Sequence, residues 1–405
     1  MLAFQFPPYD QSTGAQRVLS FIRHLPTKGW SPIVLTARES AYPQIDRSTL
    51  ATIPEGTLVL RAFGFDVART LSIRGIYPRA LATPDRWNSW IVGSVFAGMR
   101  AIRNYRPAAL WATFPTPSSL AAALCLQKLS GLPLIADLRD PMIYEGWPET
   151  KWERKVYGLI ERRMVRVARA VVVTTPSAGR MYRERYPQFA DKIRVIPNGM
   201  EPTPDLAAPA APSSKASIML LHSGLMEIPD RDPRAFFEGL RLLVTQGRLP
   251  KTPLHIVLRA SGKEALYTEQ VRALGLNDIV SIKSRIGRAE AIREMMSASA
   301  LLLFQGKHCN RQIPAKAYEY LFSQKPMIGL LDVEGDTQAL IQGEWHVPYC
   351  ADMEDPQNIA DTIAKFAADY EQGTAYVPPT ALHDQHSRRT QALKLGDLLD
   401  ECTAS

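Results

Sequence analysis

Short runs of aliphatic and β-branched residues alternate along this chain with longer stretches whose apolar positions recur at helical spacing. That alternation is the mark of parallel strands covered by helices. In the first half the strand-like runs are residues 2–6, 31–36, 109–112, 134–137, 170–174 and 193–196, with helical stretches at 16–25 and 87–104. A second series of strands runs through 218–221, 254–258, 279–282, 300–304 and 326–330. Its helices fall at 233–246, 264–274, 288–297 and 315–323. Between the two series lies PTPDLAAPAAPSSKAS, residues 202–217. A Pro/Ala/Ser segment with so few bulky apolar groups cannot pack a core and reads as a linker. The chain therefore divides into an α/β domain at 1–202, a linker at 203–217, a second α/β domain at 218–380 and a terminal helical segment at 381–405. Open parallel sheets take ligands at the carboxyl ends of their strands. Two doubly wound, Rossmann-like domains facing each other would enclose a cleft.

Composition narrows the classes. The chain has 405 residues, 46% of them hydrophobic and 22% charged, which excludes disordered, collagen-like and disulfide-scaffold proteins. Its four cysteines, Cys125, Cys309, Cys350 and Cys402, form no C-x-x-C, so neither a disulfide framework nor a zinc site is indicated and a reducing, cytosolic setting is expected. No basic stretch leads into an apolar core at the N-terminus, so no signal peptide is expected. The longest uncharged stretch, 107–127, contains Pro107, Pro115 and Pro117 and reads as strand, loop and helix rather than a membrane span. The balance of 48 Lys plus Arg against 40 Asp plus Glu leaves +8. No basic run interleaved with stacking aromatics appears, which argues against nucleic acid as a partner. The positive charge is instead concentrated in 151–169, where Trp152, Val156, Leu159, Ile160, Met164 and Val167 recur at helical spacing among cations. Such a helix can cover its sheet, or its cationic face can meet anionic lipid headgroups. The apolar stretch 87–99 beside Arg100 and Arg103 offers the same two readings.

Several chemistries lack their motif. There is no G-x-G-x-x-G after the first strand, no G-x-x-x-x-G-K-[ST] and no G-x-S-x-G. His383 and His386 have no acidic partner in register and read as solvent-facing. Three segments remain. The loop PPYDQSTGAQR, residues 7–17, feeds a helix N-terminus, whose unpaired N–H groups suit a phosphate or a sugar hydroxyl, with Gly14 permitting close approach. The segment ADLRDP, residues 136–141, ends a buried strand with two carboxylates and Arg139, either as an Asp–Arg pair tying the loop or as a site. In IPAKAYEYL, residues 313–321, Pro314 starts a helix and Lys316 sits in its first turn. There a cation opposes the helix dipole and suggests an anion to meet, while Glu319 lies one turn on along nearly the same face. A lysine for phosphate and a carboxylate for a ribose diol would suit a sugar nucleotide.

These segments together resemble the GT-B glycosyltransferases of family 4, in their bacterial polysaccharide branch. The resemblance covers most of the chain. ARAVVVTTPSAGRMYRERYP and KIRVIPNGME are similar to the approach to the interdomain hinge. HSGLMEIPDRDPRAFFEGLRLLV resembles the start of the donor domain, with Gly224 matching the glycine loop that approaches the diphosphate. IPAKAYEYLFSQKPMIG resembles the donor-site helix, with Glu319 matching the ribose-binding glutamate. DLRDPM is similar to a D-x-R-D-P-W stretch that places Asp140 near the acceptor. Arg311 stands where family members often carry a first glutamate. Leu225 follows Gly224 where an arginine is usual, and Thr13-Gly14 replaces a Gly-Gly pair. Arg231, Lys316 and Arg311 are candidates for the missing cation.

The resemblance implies a GT-B fold and a metal-free, cofactor-free transfer of a sugar, with retention, from a nucleoside-diphosphate sugar to a hydroxyl of a glycan or lipid-linked glycan. With the helix reading and the candidates for the missing cation added, the expected site comprises Lys316, Asp140 and Arg231 for catalysis. Gly224, Glu319, Arg311 and Pro314 would hold the donor, and Gly14, Thr13 and Arg139 the acceptor. The alternatives are a non-catalytic GT-B subunit and a nucleotide-sugar epimerase. The implied location is cytoplasmic, with peripheral contact to an anionic inner membrane face.

Overall fold

A computed structural model describes residues 1–9, 14–72, 77, 82–201 and 217–404. Thr13 and the expected linker, apart from Ser217, lie outside the described residues. The chain forms two compact units, residues 1–198 with 388–405, and residues 199–387.

In the first unit all strands are parallel. β1 (Ile33–Ala37) pairs with β2 (Leu58–Ala62), and β3 (Leu110–Phe114), β4 (Leu134–Leu138), β5 (Ala170–Val173) and β6 (Ile193–Val195) follow side by side. Leu2 bridges both Leu35 and Ala112, joining the two groups into one sheet of order β2, β1, residues 1–3, β3, β4, β5, β6. The strand expected at 2–6 is shorter than its apolar pattern. Leu2 N–H donates to Trp111 O at 2.7 Å and Ala3 N–H to Leu35 O at 3.1 Å. Phe4 O is taken instead by the hydroxyls of Tyr42 (2.8 Å) and Thr36 (3.3 Å), so the ladder ends there although Phe4 and Phe6 stay buried.

The strands β3, β4 and β5 are buried at every position, as parallel strands covered on both faces must be. Alternate residues serve opposite cores. Leu35, Ala112, Ala136 and Val171 meet one set of helices, while Val34, Trp111, Ile135 and Val172 meet Gly14–His24 and the C-terminal helix Arg388–Thr403. The first face carries Ser89–Tyr105, Pro117–Ser130 and Lys151–Val167, packed in that order, with Pro176–Arg185 in the same core. Within Lys151–Val167 the apolar stripe is only partly used. Tyr157, Met164 and Val165 are buried, whereas Trp152 and Leu159 face solvent. The buried carboxylate of Glu161 accepts from Tyr182 Oη (2.9 Å), Tyr186 Oη (2.8 Å) and Arg185 Nη1 (2.8 Å), which fastens this helix to Pro176–Arg185.

In the second unit six parallel strands are ordered β12, β11, β10, β7, β8, β9. They are β7 (Ile218–Ser223), β8 (Leu254–Arg259), β9 (Val280–Lys283), β10 (Ala300–Gln305), β11 (Met327–Leu331) and β12 (Cys350–Asp352). Helices Arg234–Thr245 and Pro356–Glu371 pack against each other, and Glu264–Ala273, Arg288–Ser297 and Ala315–Phe322 complete the layers. The sequence order reverses between β7 and β10, the switch point where such sheets bind ligands. Of the two histidines expected in solvent, one is buried and the other is half-buried. His386 is buried and accepts from Trp345 Nε1 at 2.8 Å, with Glu344 Oε1 3.1 Å away, and the ring of His383 stacks on Phe322 at 4.3 Å. Their partners are distant in sequence, so no local spacing reveals them.

One glycine gives the fold a direct test. A Cβ on Gly93, within Ser89–Tyr105, would overlap the backbone carbonyl of Phe63, with Phe63 C at 2.9 Å. Helix propensity alone would make Gly93→Ala stabilising by about 1 kcal/mol. Because backbone must move to admit the methyl, we expect the opposite, a loss of roughly 1–3 kcal/mol in denaturant unfolding.

Candidate functional site

At the switch point of the second unit, β7 ends in His222 and Ser223, and the chain turns through Gly224 at φ +149°. Gly224 N–H donates to Arg259 O at 2.8 Å, fixing the turn. Lys316 Nζ donates to Ser223 O. The space a side chain would need at Gly224 is filled by the lysine, whose Nζ would overlap a Cβ there and whose Cε would lie 2.8 Å away. Pro314 is the N-cap of helix Ala315–Phe322, so the ammonium stands at the end of the helix where the dipole is positive. Burial, assisted by Arg231, pushes the Lys316 pKa down to about 8, and Glu319 opposes the shift. The structure thus brings together Gly224, Arg231, Lys316 and Glu319. Arg231 Nη2 donates to Gln305 Oε1 at 3.4 Å, and Gln305, at the end of β10, donates to Cys309 O at 3.1 Å. Arg311 lies exposed three residues before Pro314.

The sequence reading does not single out His222, although a polar residue closing the apolar run of β7 is the signal for it. Its Nδ1–H donates to Leu302 O at 3.0 Å, and its buried Nε2 has no hydrogen-bond partner among the described residues. Burial, then Lys316 and Arg231, push its pKa down to about 3, so the ring is neutral and Nε2 is an acceptor. Two cations, a helix N-terminus and a tight glycine turn suit a polyanion. Glu319 supplies an acceptor for a diol.

The first unit gathers a second group at its own strand ends. Gly14 opens helix Gly14–His24, and a Cβ there would overlap Arg139 Nη1 and Gln5 Oε1. Arg139 Nε donates to Phe114 O at 2.9 Å and Nη2 to Gln5 Oε1 at 2.7 Å. Burial lowers the Arg139 pKa from its ordinary value and raises that of the neighbouring Asp140 carboxyl, which Arg139 counteracts. Arg139 is therefore not the pair of Asp137. That partner is Arg17, from a helix 120 residues away in sequence, whose Nε donates to Asp137 Oδ2 at 3.0 Å while Nη1 and Nη2 bind Pro197 O (2.8 Å) and Ile196 O (3.0 Å). An arginine inside the apolar run of that helix is the only sequence signal for it. Asp140, Arg139 and Gly14 converge, whereas Thr13 lies outside the described residues. Among the described residues no cluster of three or more His, Cys, Asp or Glu side chains could hold a metal ion.

Residues 12–199 match the glycosyl transferase 4-like domain family. No curated protein sequence matches the chain. Among solved structures, the sucrose-phosphate synthase of Thermosynechococcus elongatus superposes with a TM-score of 0.66 at 15% identity, covering 100% of this chain and 98% of that one. The HepE protein of Anabaena, solved with UDP and glucose, gives 0.65 at 14% identity, covering 98% of each chain. A putative UDP-N-acetylglucosamine 2-epimerase from Listeria monocytogenes gives 0.54 at 12%, covering 95% of this chain and 92% of that one. The fold is GT-B, with two Rossmann-like α/β units.

The buried Arg17–Asp137 pair generates a stability prediction. Asp137 Oδ1 already has no hydrogen-bond partner among the described residues. Removing the guanidinium by Arg17→Met should cost about 3–5 kcal/mol, because a charge is left uncompensated in the core. The double variant Arg17→Met/Asp137→Leu should lose clearly less, and a double-mutant cycle in urea measures the difference.

Proposed function

We propose that this protein is a glycosyltransferase that moves a sugar from a nucleoside-diphosphate donor to a hydroxyl of a glycan or lipid-linked glycan, with retention. The observation that carries the reading is the Lys316 ammonium, seated over Gly224 at a helix N-terminus beside Arg231 and Glu319. Breaking the bond between the anomeric carbon and the diphosphate leaves negative charge on the departing oxygen. Lys316 and Arg231 are positioned to neutralise that charge from the outset, so little reorganisation is needed as it develops. Glu319 would accept from the ribose diol. The acceptor hydroxyl oxygen bonds to the anomeric carbon as the diphosphate leaves, and its proton passes to a diphosphate oxygen. Gly14, Arg139 and Asp140 would orient that acceptor. Asp140, with its carboxyl pushed up by burial, suits a hydrogen bond to a sugar hydroxyl. No step calls for a metal. The four cysteines are free thiols, in keeping with action in the reducing cytoplasm. UDP bound by HepE makes a uridine donor the first to try.

The proposal rests on turnover. Purified protein given a donor and candidate acceptors should release nucleoside diphosphate. Lys316→Ala should lower kcat by about 100–1,000-fold, and Glu319→Ala should act mainly through donor KM. Donor consumed without an acceptor would point to an epimerase, and donor bound but never consumed to a non-catalytic subunit. Arg311, standing in place of the family's first glutamate, is the feature that favours the latter.

The lowered lysine pKa adds a signed pH prediction. An anion binds the protonated form, which predominates below about pH 8. Affinity for UDP should therefore hold up to that pH and fall above it, by up to about tenfold per unit, as binding must then take up a proton. Lys316→Arg should flatten the profile, because guanidinium stays charged throughout. Titration calorimetry at several pH values reads both.

A further inference from the structure

The loop that leaves β4 is tied down on both sides of Asp140 by side chains of other elements. Thr174 Oγ1 donates to Arg139 O at 2.7 Å, Met142 N–H to Tyr182 Oη at 3.0 Å, and Arg185 Nη2 to Ile143 O at 2.9 Å. Tyr182 and Arg185 are themselves fixed on the buried Glu161. Beyond these bonds the chain forms a hairpin in which Tyr144 and Trp147 exchange both backbone hydrogen bonds, each at 3.1 Å. Gly146 makes its turn at φ +75° with open space around it, so the backbone alone explains this glycine. Arg154 Nη2 donates to Tyr144 O (3.3 Å) and Pro148 O (3.4 Å), which fastens the hairpin to helix Lys151–Val167. Residues directly opposite each other in an antiparallel pair point to the same face. Tyr144 and Trp147 therefore share one side of the hairpin, Tyr144 half-buried and Trp147 40% exposed. A single exposed aromatic needs no explanation. This one is presented on a braced ribbon, where a ligand can settle with little further ordering of the chain.

We infer that the Tyr144–Trp147 hairpin is a platform on which a sugar ring of the acceptor glycan stacks, with Trp147 as its contact residue and a determinant of acceptor specificity. The inference rests on the acceptor proposed above being a glycan. A pyranose carries hydroxyls around its rim and C–H bonds on its faces, so it needs directional polar groups and an aromatic plane within one site. The end of β4 supplies polar groups in Arg139 and Asp140, and the same loop, a few residues on, supplies the aromatic face. A purely apolar occupant would cover Trp147 but gain nothing from Asp140. Trp152, 53% exposed on the helix that follows, lies outside the hairpin and serves as a control.

The test is binding of the full chain, without donor, to an array of bacterial and plant oligosaccharides. The parent should retain at least one glycan, and Trp147→Ala should weaken that complex at least about tenfold. Trp147→Phe, which keeps an aromatic face, should recover most of the loss, and Trp152→Ala should bind as the parent does. Far-ultraviolet circular dichroism matching the parent certifies that the three variants fold. In turnover, Trp147→Ala should raise KM for the bound glycan by the same factor and leave kcat and donor KM unchanged. An array with nothing retained, Trp147→Ala as tight as the parent, no recovery by Trp147→Phe, or an equal loss in Trp152→Ala would overturn the inference. So would phosphatidylcholine vesicles held through Trp147 while every glycan is left unbound. A glycan held through Trp147 with no diphosphate released from any donor would instead sink the transferase reading and leave the platform standing.

Discussion

A parallel strand buried on both faces can present polar side chains only where it stops. In both units this constraint places the chemistry. The strands β3, β4 and β5 have no exposed position, and their polar side chains cluster toward the carboxyl ends, as Thr113 and Asp137 do, with Arg139 just beyond β4. β7 is apolar until His222, and β8 and β10 close on Arg259 and Gln305. Every residue assigned a role in donor or acceptor binding lies just past such an end or on the helix that follows one.

The two units solve the resulting electrostatic problem differently. In the first, Asp137 and Arg17 neutralise each other deep in the structure, and the arginine also satisfies two carbonyls, so this charge holds the fold and is not free to meet a ligand. In the second, burial disfavours the Lys316 charge most, Glu319 favours it, and the nearby Arg231 disfavours it by less. The Arg259–Glu294 pair beside them is closed and structural. What remains is a net positive pocket that an anion would relax. A neutral His222 beneath it adds an acceptor without adding charge.

The main strands and helices were legible because a buried parallel strand leaves an unbroken apolar run and a covering helix leaves a 3.6-residue stripe. β2, whose positions are mostly half-buried at the sheet edge, and the three-residue β12 leave too weak a trace. At residues 2–6 the apolar pattern is real but marks burial rather than pairing, since side-chain hydroxyls take the Phe4 carbonyl. The site was legible where helix grammar carries meaning, as for Pro314, Lys316 and Glu319. It was not legible where a residue's role is set by a partner far along the chain. Arg17 becomes a core ion-pair residue only once Asp137 and residues 196–197 surround it, and His386 becomes buried only once Trp345 covers it. Trp152 and Leu159 show the converse. Their spacing is that of core residues, and only the packed helix reveals that they face out.

The two site glycines revise the usual logic of such loops. A bare Cα is normally explained by the close approach of a ligand's phosphate to backbone. Here the space beside Gly14 is occupied by the Arg139 guanidinium and Gln5, and the space beside Gly224 by the Lys316 ammonium. In both units the glycine seats a cation against the strand end, where Phe114 O or Ser223 O holds it. An anion arriving at either place would meet a fixed, partly desolvated positive group before it met the backbone.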